Sequence, residues 1–226
     1  MRLTVDQIMK QVAATVNQEA NAPTTGGAEW SLWLQYINRG IAEWSGANDW
    51  EELRQTYYPV VIADGTPSVT VPLDFRKLAA PVRLFEGNLG IDYPEILSEE
   101  EGLKTPQVDK YLKVTGNTAI GFTLTFNPGT LASGASLQIQ YFAMPTSLAS
   151  PADYSPMQDP QFLVDRTVAY IFEARSDSRF QLEENKARER LLSMVEGHEM
   201  RKFNSYTGTN QVPDTLRRIG FRVGRD

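Results

Sequence analysis

At 226 residues, 41% hydrophobic and 22% charged, the chain is long enough for one substantial core or two modest ones and has the composition of an ordinary globular protein. No cysteine and one histidine, His198, exclude a disulfide framework, a thiolate nucleophile, a Cys-ligated metal and a paired-histidine zinc motif. The net charge of −6 is uneven: residues 201–226 hold six Lys/Arg (Arg201, Lys202, Arg217, Arg218, Arg222, Arg225) against Asp214 and Asp226, while the other 16 basic and 26 acidic residues lie upstream.

Met1-Arg2 leads directly into an amphipathic stretch, without the apolar centre or cleavage site of a secretory signal. Val5, Ile8, Met9, Val12 and Val16 fall on one face of a 3.6-residue period, so the first element is predicted to be a helix. Thr4 is its expected N-cap, with Gln7 at the capping-box position. Pro23, Gly26 and Gly27 break the pattern. A second helix follows, with Trp30, Trp33, Leu34, Ile37, Ile41 and Trp44 on one stripe and Trp50 and Leu53 in a short helix after it. Three tryptophans on one face point to core packing rather than to a cofactor-stacking surface.

From Thr56 the period becomes that of strands. Tyr57–Ile62, Ser68–Val71, Val82–Glu86, Lys110–Val114, Ala119–Phe126 and Ser136–Met144 are the expected strands, with Ala63-Asp64-Gly65 and Asn127-Pro128-Gly129 as turns. Ser98–Glu101 is expected to open a short solvated helix. Asp159 and Pro160 then mark a third helix, whose face carries Val164, Thr167, Val168, Ile171, Phe172 and Arg175. A fourth restarts at Asp177 or Ser178, with Ala187, Leu191, Met194 and Val195 as its stripe. Glu183, Glu184, Lys186, Arg188, Glu189 and Arg190 read as its wet face, and His198 as a packing residue at the stripe's edge.

The expected fold class is therefore α+β: a four-helix bundle (1–55 and 158–203), an inserted antiparallel β-sandwich or barrel lobe (56–146), and an extended C-terminal tail (204–226). Ile219, Phe221 and Val223 alternate with Gly220 and Arg222, the period of a half-buried strand, so the basic tail is expected to lie on another surface. No glycine-rich phosphate loop and no paired-carboxylate or nucleophile constellation stands at a spacing that fixes geometry; an Asp74/Glu86 carboxylate pair is the weak exception. Nothing points to catalysis, a metal or a cofactor. A monomeric β-sandwich binding carbohydrate or peptide through Tyr57, Tyr58 and Tyr93 is the alternative of a different class.

The order of motifs resembles a known family. Trp30–Leu53 reads W-x2-W-L-x2-I-N-R-x-I-x-E-W-x5-W-E-E-L, followed by Tyr57-Tyr58-Pro59, Asp64-Gly65, V-T-V-P-L-D-F at Val69–Phe75, Leu137–Pro145, and Asp159-Pro160 before a charged helical pair. This progression is similar to the head-to-tail adaptor proteins of tailed bacteriophages. The resemblance implies a non-enzymatic structural protein of the virion, at the head–tail junction and assembled in the host cytoplasm. It implies a homo-oligomeric ring, a dodecamer, between the portal and a tail or head-closure protein. Double-stranded DNA would pass through the lumen without sequence-specific contact, and no membrane is involved. It assigns Trp33, Ile37, Asn38, Asp49 and Trp50 to the fold motif, and portal binding to the C-terminal extension: Phe203, Tyr206, Leu216, Arg217, Arg218, Ile219, Phe221, Arg222 and Val223.

Overall fold

The computed structural model describes residues 2–61, 68–86, 89–95, 110–127, 131 and 134–205. They form two compact units, one from residues 2–49 and 145–205, the other from residues 50–144. The fold is α+β, with four α-helices and antiparallel sheets among the described residues.

The helical unit contains α1 (Val5–Val16), α2 (Ala28–Ala47), α3 (Gln161–Ala174) and α4 (Phe180–Ser205). In α1 the capping box forms as the sequence predicts: Gln7 N donates to Thr4 Oγ1 at 3.2 Å, and Thr4 N to Gln7 Oε1 at 3.0 Å. Two further N-terminal amides of α1 have no partner within the helix. Val5 N donates to Asp153 O at 2.9 Å and Asp6 N to Pro151 O at 3.0 Å, so α1 hangs from the loop before α3. Val5, Ile8, Met9, Val12 and Val16 are all buried, as are Trp30, Trp33, Ile37, Ile41 and Trp44.

The third helix is the hub of this unit, packing against α1, α2 and α4. A single stripe on α3 is therefore too narrow a description. Phe162, Leu163 and Val164, and every residue from Thr167 to Phe172, are buried, because three neighbours cover most of the circumference. Gly40 permits the close approach of α2: a Cβ there would lie 3.2 Å from Leu163 Cδ2. Pro160 stands at the N-cap of α3, one position later than the sequence predicts, and Asp159 before it accepts from Gln161 N at 3.1 Å through Oδ1. Asp177 marks the start of α4, its Oδ1 accepting from Arg179 N at 2.9 Å.

In the β unit a 3-10 turn, Glu51–Leu53, precedes β1 (Arg54–Tyr57), β2 (Ser68–Thr70), β3 (Phe75–Leu78), β4 (Val82–Glu86), β5 (Leu89–Tyr93), β6 (Tyr111–Asn117), β7 (Gly121–Asn127) and β8 (Ser136–Ala143). Strand β8 organises the larger sheet. One edge pairs with β1 (Arg54↔Phe142 to Tyr57↔Ile139), the other with β4 (Leu84↔Leu137) and then β3 (Leu78↔Tyr141), and β5 continues from β4. The smaller sheet runs β2-β7-β6. Both contribute to one core, including Phe75, Leu84, Ile139 and Tyr141 from the first and Leu112, Leu124 and Phe126 from the second. Rings cross between them at Phe75–Phe122 and Tyr93–Phe126, with centroids 5.3 and 5.2 Å apart.

The expected sandwich or barrel thus resolves into two open antiparallel sheets, and no barrel closes among the described strands. The first strand starts at Arg54 rather than Tyr57, because β8 pairs that far back. Strands β3 and β5 escape the sequence pattern. β3 is a four-residue piece with Arg76 and Lys77 inside it, and the exposed Arg83–Asp92 pair (2.7 and 3.0 Å) ties β5 to β4 across an Asp that reads as a turn residue. The expected turn at Ala63–Gly65 and helix at Ser98–Glu101 lie outside the described residues.

Candidate functional site

The fold-motif residues occupy positions with distinct tasks. Trp33 and Ile37 are buried on α2, and Trp50 is buried at the start of the β unit. Asp49 stands in the turn after α2, where its amide donates to Asn48 Oδ1 at 2.7 Å. Asn38 is a clamp: its Nδ2 donates to Leu148 O at 2.9 Å and its Oδ1 accepts from Leu148 N at 2.8 Å. Both backbone groups of one loop residue are thereby satisfied by one side chain, because a carboxamide carries a donor and an acceptor side by side at neutral pH. The loop is further fixed by Asp153, whose Oδ2 accepts from Ala149 N and Ser150 N, both at 2.8 Å; these amides hold its carboxyl below the usual carboxylate range. Asn38, Leu148 and Asp153 thus link α2 to the residues that hold the start of α1.

The charged side of α4 is not simply solvated. Arg166 on α3 is the centre of a polar cluster: its Nε donates to Glu43 Oε2 at 2.6 Å and its Nη1 to Glu184 Oε2. Tyr170 donates its hydroxyl to the same Glu43 oxygen at 2.9 Å, and its ring lies under the guanidinia of Arg39 and Arg166, 4.2 and 4.5 Å away. Burial and the Glu43 contact push the Tyr170 phenol up. Six residues further along α4, Arg190 binds Asp165 (2.7 Å) and Asp159 (3.1 Å). Glu183 is buried and accepts from Lys186 Nζ at 2.7 Å. Glu183, Glu184 and Arg190 are therefore corrections to the wet face expected from sequence: Glu184 and Arg190 are drawn inward by partners on and just before α3 and fasten α4 to it, while Glu183 is buried with its partner Lys186 on its own helix.

His198 is 6% exposed, with Nδ1 3.2 Å from Asn48 Nδ2, and Glu199 Oε1 accepts from the same amide at 3.3 Å. This joins α4 to the C-terminal end of α2 and is a packing role. Among the described residues no group of three or more His, Asp or Glu is placed to hold a metal. Asp74 accepts a hydrogen bond from the Tyr141 hydroxyl at 3.1 Å, and the side chain of Glu86, its expected carboxylate partner, lies outside the described residues.

Surfaces stand out more than chemistry. A groove of about 300 Å³ lies between α2 and α3, floored by Leu32, Trp33, Tyr36 and Ile171 and rimmed by the Glu29–Arg175 ion pair. On the β unit, Leu73 and Ile120 are 82% and 80% exposed. Ile120 sits on a turn fixed by Asn117 Oδ1, which accepts from Ala119 N and Ile120 N, and Leu73 lies over neighbouring Gly121. Of the three tyrosines proposed for ligand recognition, Tyr58 is exposed and Tyr57 borders on it. Tyr93 is buried edge-on against Phe126, so the aromatic platform is not assembled as expected.

Of the residues expected to bind a portal, Phe203 lies in the last turn of α4, which continues to Ser205, so the helix extends past the expected start of the tail at residue 204. Tyr206, Leu216, Arg217, Arg218, Ile219, Phe221, Arg222 and Val223 lie outside the described residues.

No curated protein matches the chain. The sequence model of the SU10 adaptor protein family matches residues 3–213, all but the first two and the last thirteen positions. With that span covering both units, the chain belongs to the SU10 adaptor protein family, a family of phage head–tail adaptors.

Proposed function

We propose that the protein is the structural adaptor that forms a dodecameric ring below the portal of a tailed phage, extends the DNA channel, and provides the attachment site for the tail or head-closure protein. Its place is the virion's head–tail junction, reached by assembly in the host cytoplasm, and its role is non-enzymatic. The observation that carries this reading is the family match across residues 3–213.

A closed ring needs two different surfaces on each subunit. The helical unit offers a rigid body for them, a bundle gathered on α3 with its helices cross-fastened through Arg166 and Arg190. The inserted β unit carries the exposed Leu73 and Ile120. The acidic excess of residues 1–200, 26 acids against 16 bases, suits a conduit that repels phosphates and lets the genome pass, whereas a basic lumen would retain it by counterion release. The basic terminal segment docks on the portal, with Ile219, Phe221 and Val223 against its surface and Arg217, Arg218 and Arg222 meeting acidic side chains.

The test is electron microscopy and native mass spectrometry of the protein alone and with its phage's portal. A twelvefold ring on the portal is expected. A protein that stays monomeric and fails to bind the portal at saturating concentration would overturn the reading. Deleting residues 213–226 should leave the helical unit folded and abolish portal binding; wild-type affinity in that truncation would remove the tail from the mechanism.

A further inference from the structure

One face of the helical unit carries a cation without a counter-charge. On α2, Leu32, Tyr36 and Arg39 follow one another at i, i+4 and i+7, so they line one side of the helix along its seam with α3. The two helices run antiparallel there, with Glu29 beside Arg175, Tyr36 against Tyr170 and Glu43 on Arg166. The seam thus starts at the groove floored by Leu32, Trp33, Tyr36 and Ile171 and reaches Arg39 one turn beyond Tyr36. Arg39 is exposed, and its guanidinium sits over the Tyr170 ring at 4.2 Å. It has no carboxylate partner among the described residues: Glu43, one turn on, is taken by Arg166 and Tyr170, and Glu29 by Arg175. Stacking positions the guanidinium and leaves its N–H donors open. An apolar floor one turn from a positioned cation fits a surface that offers a large apolar residue next to a carboxylate.

The β unit offers that pair. Leu73 and Ile120, 82% and 80% exposed, stand on neighbouring turns, since a Cβ on Gly121 would lie 3.9 Å from Leu73 Cδ2. Single exposed aliphatic residues are ordinary on a protein surface; two side by side and this open mark a contact site. Asp74 follows Leu73 in the chain and is exposed as well. Its Oδ1 accepts from the Tyr141 hydroxyl, and its Oδ2 has no partner among the described residues. Asp74 is the one charged residue in segments 72–74 and 117–121, so this tip holds no base of its own to compete for the carboxylate.

We infer that Leu73 and Ile120 of one copy seat in the α2–α3 groove of a second copy, where Asp74 accepts from Arg39. Groove and tip are different surfaces, so the contact is heterologous: each copy gives its tip to one neighbour and receives the tip of another. The inference deepens the ring reading above and rests on it for closure; the pairing of tip with groove stands on the two surfaces themselves.

The chain has no cysteine, so two single-cysteine variants, Leu73→Cys and Leu32→Cys, report the contact. Mixed in equal amounts at sub-millimolar concentration and oxidised mildly, they should give the disulfide-linked heterodimer in about tenfold excess over either homodimer, because docking raises the local concentration of that pair alone. Exposure by itself favours the Leu73→Cys homodimer, since position 73 is 82% exposed and position 32 is 43% exposed. Adding Arg39→Glu to the Leu32→Cys protein should cut the heterodimer yield about tenfold, and adding Asp74→Arg to its partner as well should restore it. Arg39→Glu alters an exposed side chain, so its effect judges the charge pair even if Asp74→Arg, which also gives up the Tyr141 bond, fails to fold. A statistical mixture of disulfides, or a yield indifferent to Arg39→Glu, overturns the inference. So does an intrachain disulfide in the Leu32→Cys/Leu73→Cys double variant at micromolar concentration, which assigns the tip to its own groove. Electron microscopy of the portal-bound protein separates the two readings. A ring on the portal with statistical disulfides keeps the adaptor reading and defeats this contact; selective heterodimers without a ring uphold the contact and defeat the ring.

Discussion

Asn38 offers the sharpest test of the helical unit, because one side chain satisfies both backbone groups of Leu148 at 2.8 and 2.9 Å. Asn38→Ala removes two neutral hydrogen bonds, each worth about 1 kcal/mol net, and leaves a mostly buried N–H and C=O that water reaches poorly. Together these predict a loss of about 2–3 kcal/mol, or roughly 5–10 °C in Tm for a protein of this size. Asn38→Asp separates geometry from chemistry. Its carboxylate still accepts from Leu148 N but faces Leu148 O with a second acceptor, so at pH 7 it should be at least as damaging as alanine. Protonated, the carboxyl reproduces the donor–acceptor pair of the amide. The repulsion raises the folded-state pKa of that carboxyl above its unfolded value near 3.9, so the penalty is absent below about pH 4 and complete above the raised value. The assay is urea unfolding followed by tryptophan fluorescence, since Trp30, Trp33 and Trp44 all lie in the helical unit and Trp50 alone in the other. An Asn38→Ala variant within about 0.5 kcal/mol of wild type, or an Asn38→Asp variant whose deficit does not shrink on acidification, would refute the clamp.

Other outcomes follow from the same structure. Trp33→Ala should cost about 3–5 kcal/mol, since the indole is almost wholly buried, read by the same unfolding assay. Arg166→Met leaves Glu43 and Glu184 facing each other without their shared cation and should cost on the order of 2–4 kcal/mol at pH 7, much of it recovered by adding Glu43→Gln in a double-mutant cycle. Gly116 has φ of +114°, and a Cβ there would lie 2.1 Å from the Gly121 carbonyl oxygen, so Gly116→Ala should destabilise the β unit by on the order of 3 kcal/mol, seen as early loss of β-sheet circular dichroism. Burial, helped by the hydrogen bond to Asp74, pushes the Tyr141 phenol up to about 12. The stability that this preference for the neutral phenol confers is fully present below pH 10 and lost as pH rises through about 12; Tyr141→Phe should flatten that alkaline limb in stability-versus-pH measurements.

Local physics alone places much of the chain. The apolar period, Thr4 and Gln7 locate α1; the tryptophan stripe locates α2; strict alternation locates β7 and β8; Asp159 and Asp177 mark where α3 and α4 begin. These signals are legible because capping and amphipathic period act over three to seven residues of contiguous sequence. The order of motifs was also enough to reach the adaptor family. What the sequence could not determine depends on residues far apart in it. That α3 is a hub, buried on most sides, follows from which helices surround it, not from its own stripe. Strands β3 and β5 exist because β8 and β4 supply their partners, and a short strand containing charges has no pattern of its own. Glu184 and Arg190 read as solvated until Arg166, Asp159 and Asp165 are brought beside them, and the family resemblance marks Asn38 as a fold residue without its task, which appears only when Leu148, 110 positions away, closes the clamp. Side-chain pairing across such separations is set by topology, so only the tertiary structure decides which charges are wet and which polar residues hold the fold.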